Sequence, residues 1–305
     1  MPASRIDPRP TGQFKVVGIG ELLWDLLPSG RQLGGAPANF AYHARTLGTD
    51  ARPISRVGRD ELGRELLDRL ETLGLPRDAI ELDPTAPTGT VTVQVGADGQ
   101  PQYVIHENVA WDALRGEAPA RRAVAEADAV CFGSLAQRSE PSRSTIRSLV
   151  ASTPPTALRI FDVNLRQHYF SRDVIDDSLR LANVLKVNDT ELPRLAELFQ
   201  LTGNPRDQIA ALATRYSLRL VAYTRGAAGS LLYADGQWSD HPGVSTQVVD
   251  TVGAGDSFTA AMTLGLLAGW GLDHVNEQAN RVAAYVCSCA GGTPPLPAEL
   301  RAAFG

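Results

Sequence analysis

The chain has 305 residues, enough for one large α/β domain with a small appendage or for two modest domains. Hydrophobic residues make up 43% of it and charged residues 21%, as in an ordinary globular protein. The formal net charge of -5 argues against a nucleic-acid or anionic-membrane partner, because such surfaces need excess positive charge, but it leaves room for a local small-anion site.

The N-terminus and the cysteines favour a cytoplasmic protein. Residues 1–13 are polar and contain prolines, so no signal peptide is predicted, and the longest apolar stretches are too short to span a bilayer. Cys131, Cys287 and Cys289 are odd in number and sparse, which fits a reducing compartment. Because no second Cys/His cluster accompanies Cys287 and Cys289, burial as small apolar residues is favoured over a metal site.

The first predicted elements alternate between strands and helices. In chain order they are a strand, a helix, a strand and a helix, at 14–20, 37–47, 51–58 and 61–73. Pro37 in the first turn and Gly48 after the last mark the ends of the first helix. Leucines on one side of the second helix make it amphipathic, and Gly74 ends it.

A hairpin then interrupts this alternation. Valines alternate with polar residues over 90–95, which predicts a strand with one wet face. Asp98-Gly99 is a hairpin turn signal, and 102–106 forms the predicted return strand. We expect this hairpin to belong to a small sheet that stands off the main domain.

The alternation resumes after the hairpin. The predicted strands are 129–133, 158–163, 184–187, 219–224 and 244–249. The predicted helices include 142–150, 191–199, 207–216, 256–268 and 274–290. Alternating β-α units imply a mostly parallel sheet covered by helices on both faces.

Polar residues follow four of these strands, at the edge where parallel sheets bind ligands. They are Asn164 and Arg166, then Asn188 and Glu191, then Thr224, Arg225 and Gly226, and finally the segment from Asp250 to Asp256. Each group alone is a commonplace loop. Together they predict one site.

The strongest of these groups is Asp250-Thr-Val-Gly-Ala-Gly-Asp256, which leads into a helix. Amides of Gly253, Ala254 and Gly255 can converge on an anion, helped by the helix dipole. The same dipole is expected to keep the Asp256 carboxylate ionised, as a base that accepts a hydroxyl proton must be. The alternative is an aspartate cap on an ordinary helix, with glycines that serve only the turn.

Phosphoryl transfer needs donors for the moving group, a metal shell and a carboxylate beside the acceptor hydroxyl. Asn188 and Glu191, spaced N-x-x-E, are candidates to hold Mg²⁺ through water, or else they simply cap a helix. The only lysines are Lys15 and Lys186, and no Gly-Lys dipeptide occurs, which excludes a Walker A loop.

Without a spare lysine, a cation at the phosphates is expected to be an arginine. Arg166 and Arg225 are the candidates, and the alternative for either is a solvated surface charge. A second polar cluster near the N-terminus combines Asp25 with Gly34-Gly35-Ala36-Pro37-Ala38-Asn39. A carboxylate, an amide and a close backbone approach suit several sugar hydroxyls, although Gly-Gly before a helix is also plain turn chemistry.

At these two clusters the sequence resembles the ribokinase-like (PfkB) carbohydrate kinases. The stretch from Gly20 to Asn39 resembles the first signature of that family, and Asp250 to Phe258 resembles the second. The resemblance runs from about Phe14 to Pro297. It implies a ribokinase-like three-layer α/β sandwich, with 1–305 as a single domain and a small β-sheet lid built from about 21–34 and 88–111.

The resemblance also implies site residues. Asp25, Gly35 and Asn39 would bind the sugar, and Asp256 would be the base above an anion hole of Gly253, Ala254 and Gly255. Nucleotide-lining positions would be Thr224, Arg225, Gly226, Gly229 and Asn280. Mg²⁺ would involve Asn188 and Glu191, and a monovalent cation such as K⁺ would be held by Asp250 and the Val252 carbonyl.

The details Gly-Gly-Ala-Pro-Ala-Asn39 and Asp162-Val-Asn-Leu-Arg166 resemble the fructokinase branch, which makes ATP and fructose the expected substrates. The alternatives are 2-keto-3-deoxygluconate, ribose or a nucleoside as acceptor, or a non-catalytic sugar or nucleotide sensor. Asn108 and Trp111 are candidate substrate contacts near the lid, with hinge packing as the alternative for Trp111. The lid is also expected to mediate a homodimer.

Overall fold

The computed structural model describes residues 9–27, 30–95 and 101–305. Its strands, in chain order, are β1 (Lys15–Ile19), β2 (Leu23–Leu27), β3 (Gly30–Gly34), β4 (Asp50–Gly58), β5 (Ile80–Asp83), β6 (Gly89–Val95), β7 (Pro101–Ile105), β8 (Ala129–Phe132), β9 (Leu158–Asp162), β10 (Val184–Asn188), β11 (Leu220–Thr224), β12 (Ser230–Ala234) and β13 (Gln237–His241).

The helices alternate with these strands along most of the chain. They are α1 (Ala36–Thr46), α2 (Glu61–Thr72), α3 (Ala118–Ala125), α4 (Glu140–Ala151), α5 (Arg172–Leu181), α6 (Leu192–Phe199), α7 (Pro205–Tyr216), α8 (Ala254–Leu267), α9 (Leu272–Cys287) and α10 (Ala298–Ala302). In the described ranges, no helix combines the length and apolar character that a membrane span requires.

The large sheet has the strand order β13-β12-β11-β10-β9-β8-β1-β4-β5. The strands from β11 to β5 pair in parallel, and β12 and β13 add an antiparallel edge. The turn between β12 and β13 is Asp235-Gly236, whose φ angles of 49° and 81° are those of a tight two-residue hairpin turn. The expected mostly parallel sheet is therefore confirmed.

Helices cover both faces of this sheet, because successive strand residues point to opposite sides. Val17 and Ile19 of β1 belong to one hydrophobic cluster together with residues of α4, α5, α6 and α7. Val16 belongs to a second cluster with residues of α1, α8 and α9. The resulting three layers confirm the expected architecture.

The small sheet has the order β3-β2-β6-β7. Strand β2 pairs antiparallel with β3 and parallel with β6, and β6 pairs antiparallel with β7. The predicted strands 90–95 and 102–106 correspond to β6 and β7, whereas the Asp98-Gly99 turn lies outside the described residues. All four strands fall inside the two expected lid segments, and closure of this sheet over a ligand stays a prediction.

One side of β2 attaches the small sheet to the main body. Trp24 is 6% exposed and packs in a cluster with leucines of α2. Its indole Nε1 donates a hydrogen bond to the Leu62 carbonyl at 3.0 Å. The residues on either side of Trp24, Leu23 and Asp25, lie on the opposite face, as the period of a strand requires.

The predicted strand 244–249 is wrong. These residues form no strand, and Val248 and Val249 are 59% and 61% exposed. The segment follows β13, at the end of the sheet, and the amides of Val249 and Asp250 bind the Cys287 carbonyl instead of a neighbouring strand. The β-branched residues suit a strand, but the sequence does not show that the backbone of this segment bonds to the end of α9 instead.

Candidate active site

A cleft of about 580 Å³ lies between the carboxyl edge of the large sheet and the inner face of the small sheet. Residues from both sequence clusters line it, although they are separated by more than two hundred positions in the chain. The lining includes Asp25, Gly34, Gly35, Asn39, Asp250, Val252, Gly253, Gly255 and Asp256. The two clusters therefore form one site.

The small sheet supplies one wall of the cleft. This wall is largely apolar and contains Leu23, Leu27, Val91 and Ile105, with the Asp25 carboxylate among them. Apolar walls with a few well-placed polar groups are the usual composition of a small-molecule site.

Arg166 faces this carboxylate across the cleft. Burial raises the pKa of Asp25 to about 6, and the positive charge of Arg166 opposes that rise. Asn164 and Gln167 flank Arg166 with left-handed φ angles of 44° and 48°, so the loop turns sharply around it. Among the residues that the structure describes, Arg166 has no carboxylate within 4.0 Å, which leaves its guanidinium available to a ligand.

Helix α1 begins at the cleft because Gly35 permits it. Gly35 has a φ of 112°, and a Cβ there would lie 2.4 Å from the Glu21 carbonyl oxygen. One turn later, Asn39 Nδ2 donates to Asp256 Oδ2 at 2.9 Å. The other amide atom, Asn39 Oδ1, is buried and has no hydrogen-bond partner in the described structure.

Helix α8 begins at the other end of the cleft. Gly253 has a φ of 75°, and a Cβ there would lie 2.4 Å from the Gly292 carbonyl oxygen. Gly253 and Gly255 line the cleft, whereas the Ala254 amide is turned to the Thr251 carbonyl at 3.3 Å. The first turn of a helix leaves N–H groups without intrahelical partners, which makes this turn a candidate anion site.

The pKa of Asp256 is set by burial and by several neighbouring groups. Burial raises it to about 6, with a further rise from Asp162, while the Asn39 hydrogen bond and the charges of Lys186 and Arg166 lower it. The helix dipole alone therefore does not decide the pKa of this carboxyl group. A pKa of about 6 still leaves Asp256 mostly ionised at neutral pH, as a general base requires.

Lys186 lies beneath the glycine turn, and the expectation that only an arginine would serve there is wrong. Its Nζ is 3.1 Å from Asp162 Oδ1 and would be 3.0 Å from a Cβ on Gly255. Burial alone lowers the pKa of Lys186, but the carboxylates of Asp162, Glu191 and Asp256 outweigh it and raise the pKa overall. The site therefore holds a buried ammonium group beside the anion turn.

Asn188 and Glu191 cap one another's turn. Asn188 Oδ1 accepts from the amides of Thr190 and Glu191, each at 2.9 Å. Glu191 Oε2 accepts from the Asn188 amide at 2.9 Å, and Oε1 accepts from the Leu165 amide at 3.0 Å. Asn188 reaches the cleft, while Glu191, 4% exposed, fastens this turn to the loop that carries Arg166.

Arg225 does not point a free charge at the cleft, and its expected role beside the phosphates stays a prediction. Its Nη2 is 2.7 Å from Asp240 Oδ1 and 3.2 Å from the Ser230 carbonyl. Asn280 is 7% exposed, and its Nδ2 donates to Ser230 Oγ at 2.7 Å. Both side chains hold the β12–β13 edge together in this structure.

The other expected nucleotide residues lie at the same edge of the sheet, outside the cleft. Thr224 ends β11, and Gly226 and Gly229 bound the short turn that leads into β12. This edge is continuous with the cleft rim through β10, which ends at Asn188. A role for these three residues in nucleotide binding stays a prediction.

Asp250 and Val252 belong to a loop that rests on residues 291–292. Asp250 Oδ1 accepts from the Val252 amide and Oδ2 from the Gly291 amide, both at 3.0 Å. His43 of α1 lies 2.9 Å through Nε2 from the Gly292 carbonyl. Burial lowers the pKa of His43 to about 4, so the neutral ring donates through Nε2.

Asn108 does not line the cleft in this structure, and its contact with substrate stays a prediction. It has a φ of 57° and lines a separate cavity of about 430 Å³ that includes Arg138 and Tyr169. Trp111 is 1% exposed, and the Arg138 guanidinium stacks 3.9 Å from its ring. The packing interpretation of Trp111 is therefore confirmed.

Glu21 is a buried, charged cleft residue that was not among the predicted site residues. It lies directly beyond the carboxyl end of β1, is 3% exposed and lines the cleft. Burial raises its pKa to about 7. Ligand groups in parallel sheets follow the carboxyl ends of the strands. Applied to β1, this rule predicts Glu21 as a site residue from the sequence.

The Gly253 turn yields a test with a matched control. We expect Gly253→Ala to lower the free energy of unfolding by about 1–3 kcal/mol more than Gly74→Ala does. Gly74 has a similar φ of 72°, but no atom lies within 4 Å of the position that a Cβ would take there. The difference in unfolding free energy between the two variants therefore measures the cost of the clash between the new Cβ and Gly292. Urea denaturation measures both variants, and equal losses would contradict the close packing of this turn.

Comparisons with known proteins agree with this geometry. The chain matches the pfkB family carbohydrate kinases over residues 30–299. It is 33% identical over 266 residues to a fructokinase of Klebsiella pneumoniae, covering 83% of this chain and 85% of that one.

Two solved structures are also similar. An uncharacterized sugar kinase of Pyrococcus horikoshii in complex with ATP is 30% identical, with a TM-score of 0.76 over 91% of this chain and 94% of that one. A fructokinase double mutant of Vibrio cholerae, with fructose, ADP and potassium ion bound, shares the fold at 23% identity, with a TM-score of 0.80 over 97% and 100%. The chain therefore belongs to the PfkB family of carbohydrate kinases and has their ribokinase-like α/β fold.

Proposed function

We propose that this sugar kinase uses ATP to phosphorylate a primary hydroxyl of a small neutral sugar, with fructose giving fructose 6-phosphate as the first choice. The observation that carries the proposal is the single cleft in which Asn39 of the acceptor cluster binds Asp256 beside the glycine turn. The curated relatives named fructokinase support the choice of acceptor.

In the proposed reaction, Asp256 removes the proton of the acceptor hydroxyl. The hydroxyl oxygen forms a bond to the γ-phosphorus, the bond from that phosphorus to the bridging oxygen breaks, and ADP leaves with the bridging electrons. Charge on the transferred group faces the first turn of α8, with Lys186 beneath it and Arg166 across the cleft. This arrangement supplies positioning and charge stabilisation, which are the main requirements of phosphoryl transfer.

Mg²⁺ would accompany the nucleotide, neutralising phosphate charge. Each Glu191 oxygen already accepts a backbone amide, which favours contact between this carboxylate and the ion through a bridging water. Asn188 would approach it from the cleft rim. Mg²⁺ retains several waters in most nucleotide sites, and the residues present fit that mode of binding.

The charges of the cleft favour a neutral acceptor over a sugar acid. Four carboxyl groups line it against two cations: Glu21, Asp25, Asp250 and Asp256, against Arg166 and Lys186. A carboxylate such as that of 2-keto-3-deoxygluconate would add repulsion near Asp25. The presence of the base and the glycine turn argues against a non-catalytic sensor.

An acceptor panel tests the proposal. A coupled ADP-release assay with fructose, ribose, 2-keto-3-deoxygluconate and a nucleoside should give the highest kcat/KM for fructose. A higher value for another acceptor would reassign the substrate. No turnover with any of them would reject sugar phosphorylation.

Replacement of the proposed base gives a sharper expectation. Asp256→Asn should lower kcat by roughly 10²–10⁴-fold, because the amide cannot accept the proton. In the unchanged enzyme, kcat/KM for the sugar should fall about tenfold per pH unit below the Asp256 pKa of about 6, since protonation of the free enzyme disables the base.

Asp273 provides the matched control for this variant. It also lies in the first turn of a helix, α9, but is exposed. Asp273→Asn should leave kcat unchanged. An Asp256→Asn enzyme with normal kcat would remove this carboxylate from the mechanism.

Two further features belong to the proposal, together with action in the cytoplasm. Asp250 and the Val252 carbonyl would hold K⁺ beside the anion turn, so phosphorylation rates should be higher in potassium than in tetramethylammonium. Equal rates in the two salts would count against a K⁺ site.

The small sheet would mediate a homodimer. A monomeric mass by light scattering would contradict this.

A further inference from the structure

Two buried oxygen atoms at the acceptor end of the cleft have no partner in the described structure. They are Glu21 Oε2 and Asn39 Oδ1. Both residues line the cleft, as do Gly34 and Gly35, which directly precede α1. A buried polar atom without a partner carries a substantial desolvation cost, so a ligand that supplies the missing hydrogen bonds gains affinity.

Glu21 is held in place by its surroundings. Its Oε1 accepts from the Ala36 amide at 3.3 Å, at the start of α1. Its own carbonyl lies against Gly35, where a Cβ would approach to 2.4 Å. The side chain is thus anchored through Oε1, while Oε2 has no hydrogen-bond partner in the described structure.

The nearby charged groups do not occupy that second oxygen. Arg166 and Asp256 are close enough to act on Glu21 electrostatically, the first favouring its ionised form and the second opposing it. Neither forms a hydrogen bond or ion pair with Glu21 among the residues that the structure describes. Glu21 therefore remains available to a ligand.

The chemistry of the two atoms narrows the class of ligand. Asn39 Oδ1 can only accept a hydrogen bond, because it is an amide oxygen, while Nδ2 of the same amide donates to Asp256. With its pKa raised by burial to about 7, Glu21 is present in both protonation states near neutral pH. A hydroxyl group suits both residues, since it donates to an acceptor and accepts from a protonated carboxyl.

We propose that Glu21 is an acceptor-binding residue of this enzyme, whose Oε2 hydrogen-bonds one hydroxyl of the sugar while Asn39 Oδ1 accepts from another. The inference rests on the proposed sugar kinase function and deepens it. It makes Glu21 a specificity residue that requires a hydroxyl at one position of the acceptor, away from the hydroxyl that is phosphorylated.

The test combines two Glu21 variants with deoxy sugars. Glu21→Gln keeps an oxygen for the Ala36 amide and a polar group in the cleft, whereas Glu21→Leu removes both. Titration calorimetry measures the Kd of fructose and of its monodeoxy analogues without nucleotide, and steady-state kinetics measures KM for sugar and for ATP separately.

We expect Glu21→Leu to raise the Kd of fructose roughly 10–100-fold, with the KM for ATP changed less than about twofold. One monodeoxy analogue should bind the unchanged enzyme about tenfold more weakly than fructose but lose no further affinity in the variant. That loss of additivity marks a direct contact. Glu21→Gln should recover a large part of the affinity.

A purely structural Glu21 gives a different pattern. Each analogue would then lose the same factor in the unchanged enzyme and in both variants, and the KM for ATP would rise together with that for sugar; either result overturns the inference. If Glu21→Leu does not fold, the same analogue comparison with Glu21→Gln decides. Failure of the unchanged enzyme to phosphorylate any sugar would instead overturn the proposed function, which separates the two outcomes.

Discussion

The hydrogen bond from Asn39 to Asp256, at 2.9 Å, joins the two halves of the site. Asn39 belongs to the helix that begins beside the acceptor pocket, and Asp256 lies in the first turn of the helix that faces the phosphate position. On the next turn of α1 after Asn39, His43 makes a second contact with this region by binding the Gly292 carbonyl behind the glycine turn. Helix α1 therefore sets the distance between acceptor and anion sites, and a shift of about 1 Å there would spoil the alignment that phosphoryl transfer needs.

Charge beneath the turn makes this alignment workable. Asp162 Oδ1 holds Lys186, and Asp162 Oδ2 accepts from Thr259 of α8 at 3.0 Å, so the ammonium group is fixed close to Gly255. Burial raises the pKa of Asp256 while Lys186 opposes the rise, and the balance falls at about 6. A carboxyl group tuned in this way is ionised at neutral pH and yet a stronger base than a solvated aspartate.

Much of this could be predicted from the sequence, because local chemistry determined it. The turn before α8 needs glycine at Gly253, and strand periodicity identified the hairpin of the small sheet. Residues whose roles depend on distant partners were missed: nothing local shows that Lys186 reaches Gly255, or that Arg225 is occupied by Asp240. The false strand at 244–249 has the same origin, since its residues suit a strand but the Val249 amide binds the distant Cys287 carbonyl instead.

The central claim is that one cleft brings a sugar hydroxyl and a nucleotide phosphate together at Asp256. A structure of the protein with fructose and a non-hydrolysable ATP analogue tests it most directly. We expect a primary hydroxyl within about 2.6–3.2 Å of the Asp256 carboxylate and the terminal phosphate on the first turn of α8. A sugar bound with all its hydroxyls away from Asp256, or a nucleotide whose terminal phosphate lies outside the cleft, would contradict it.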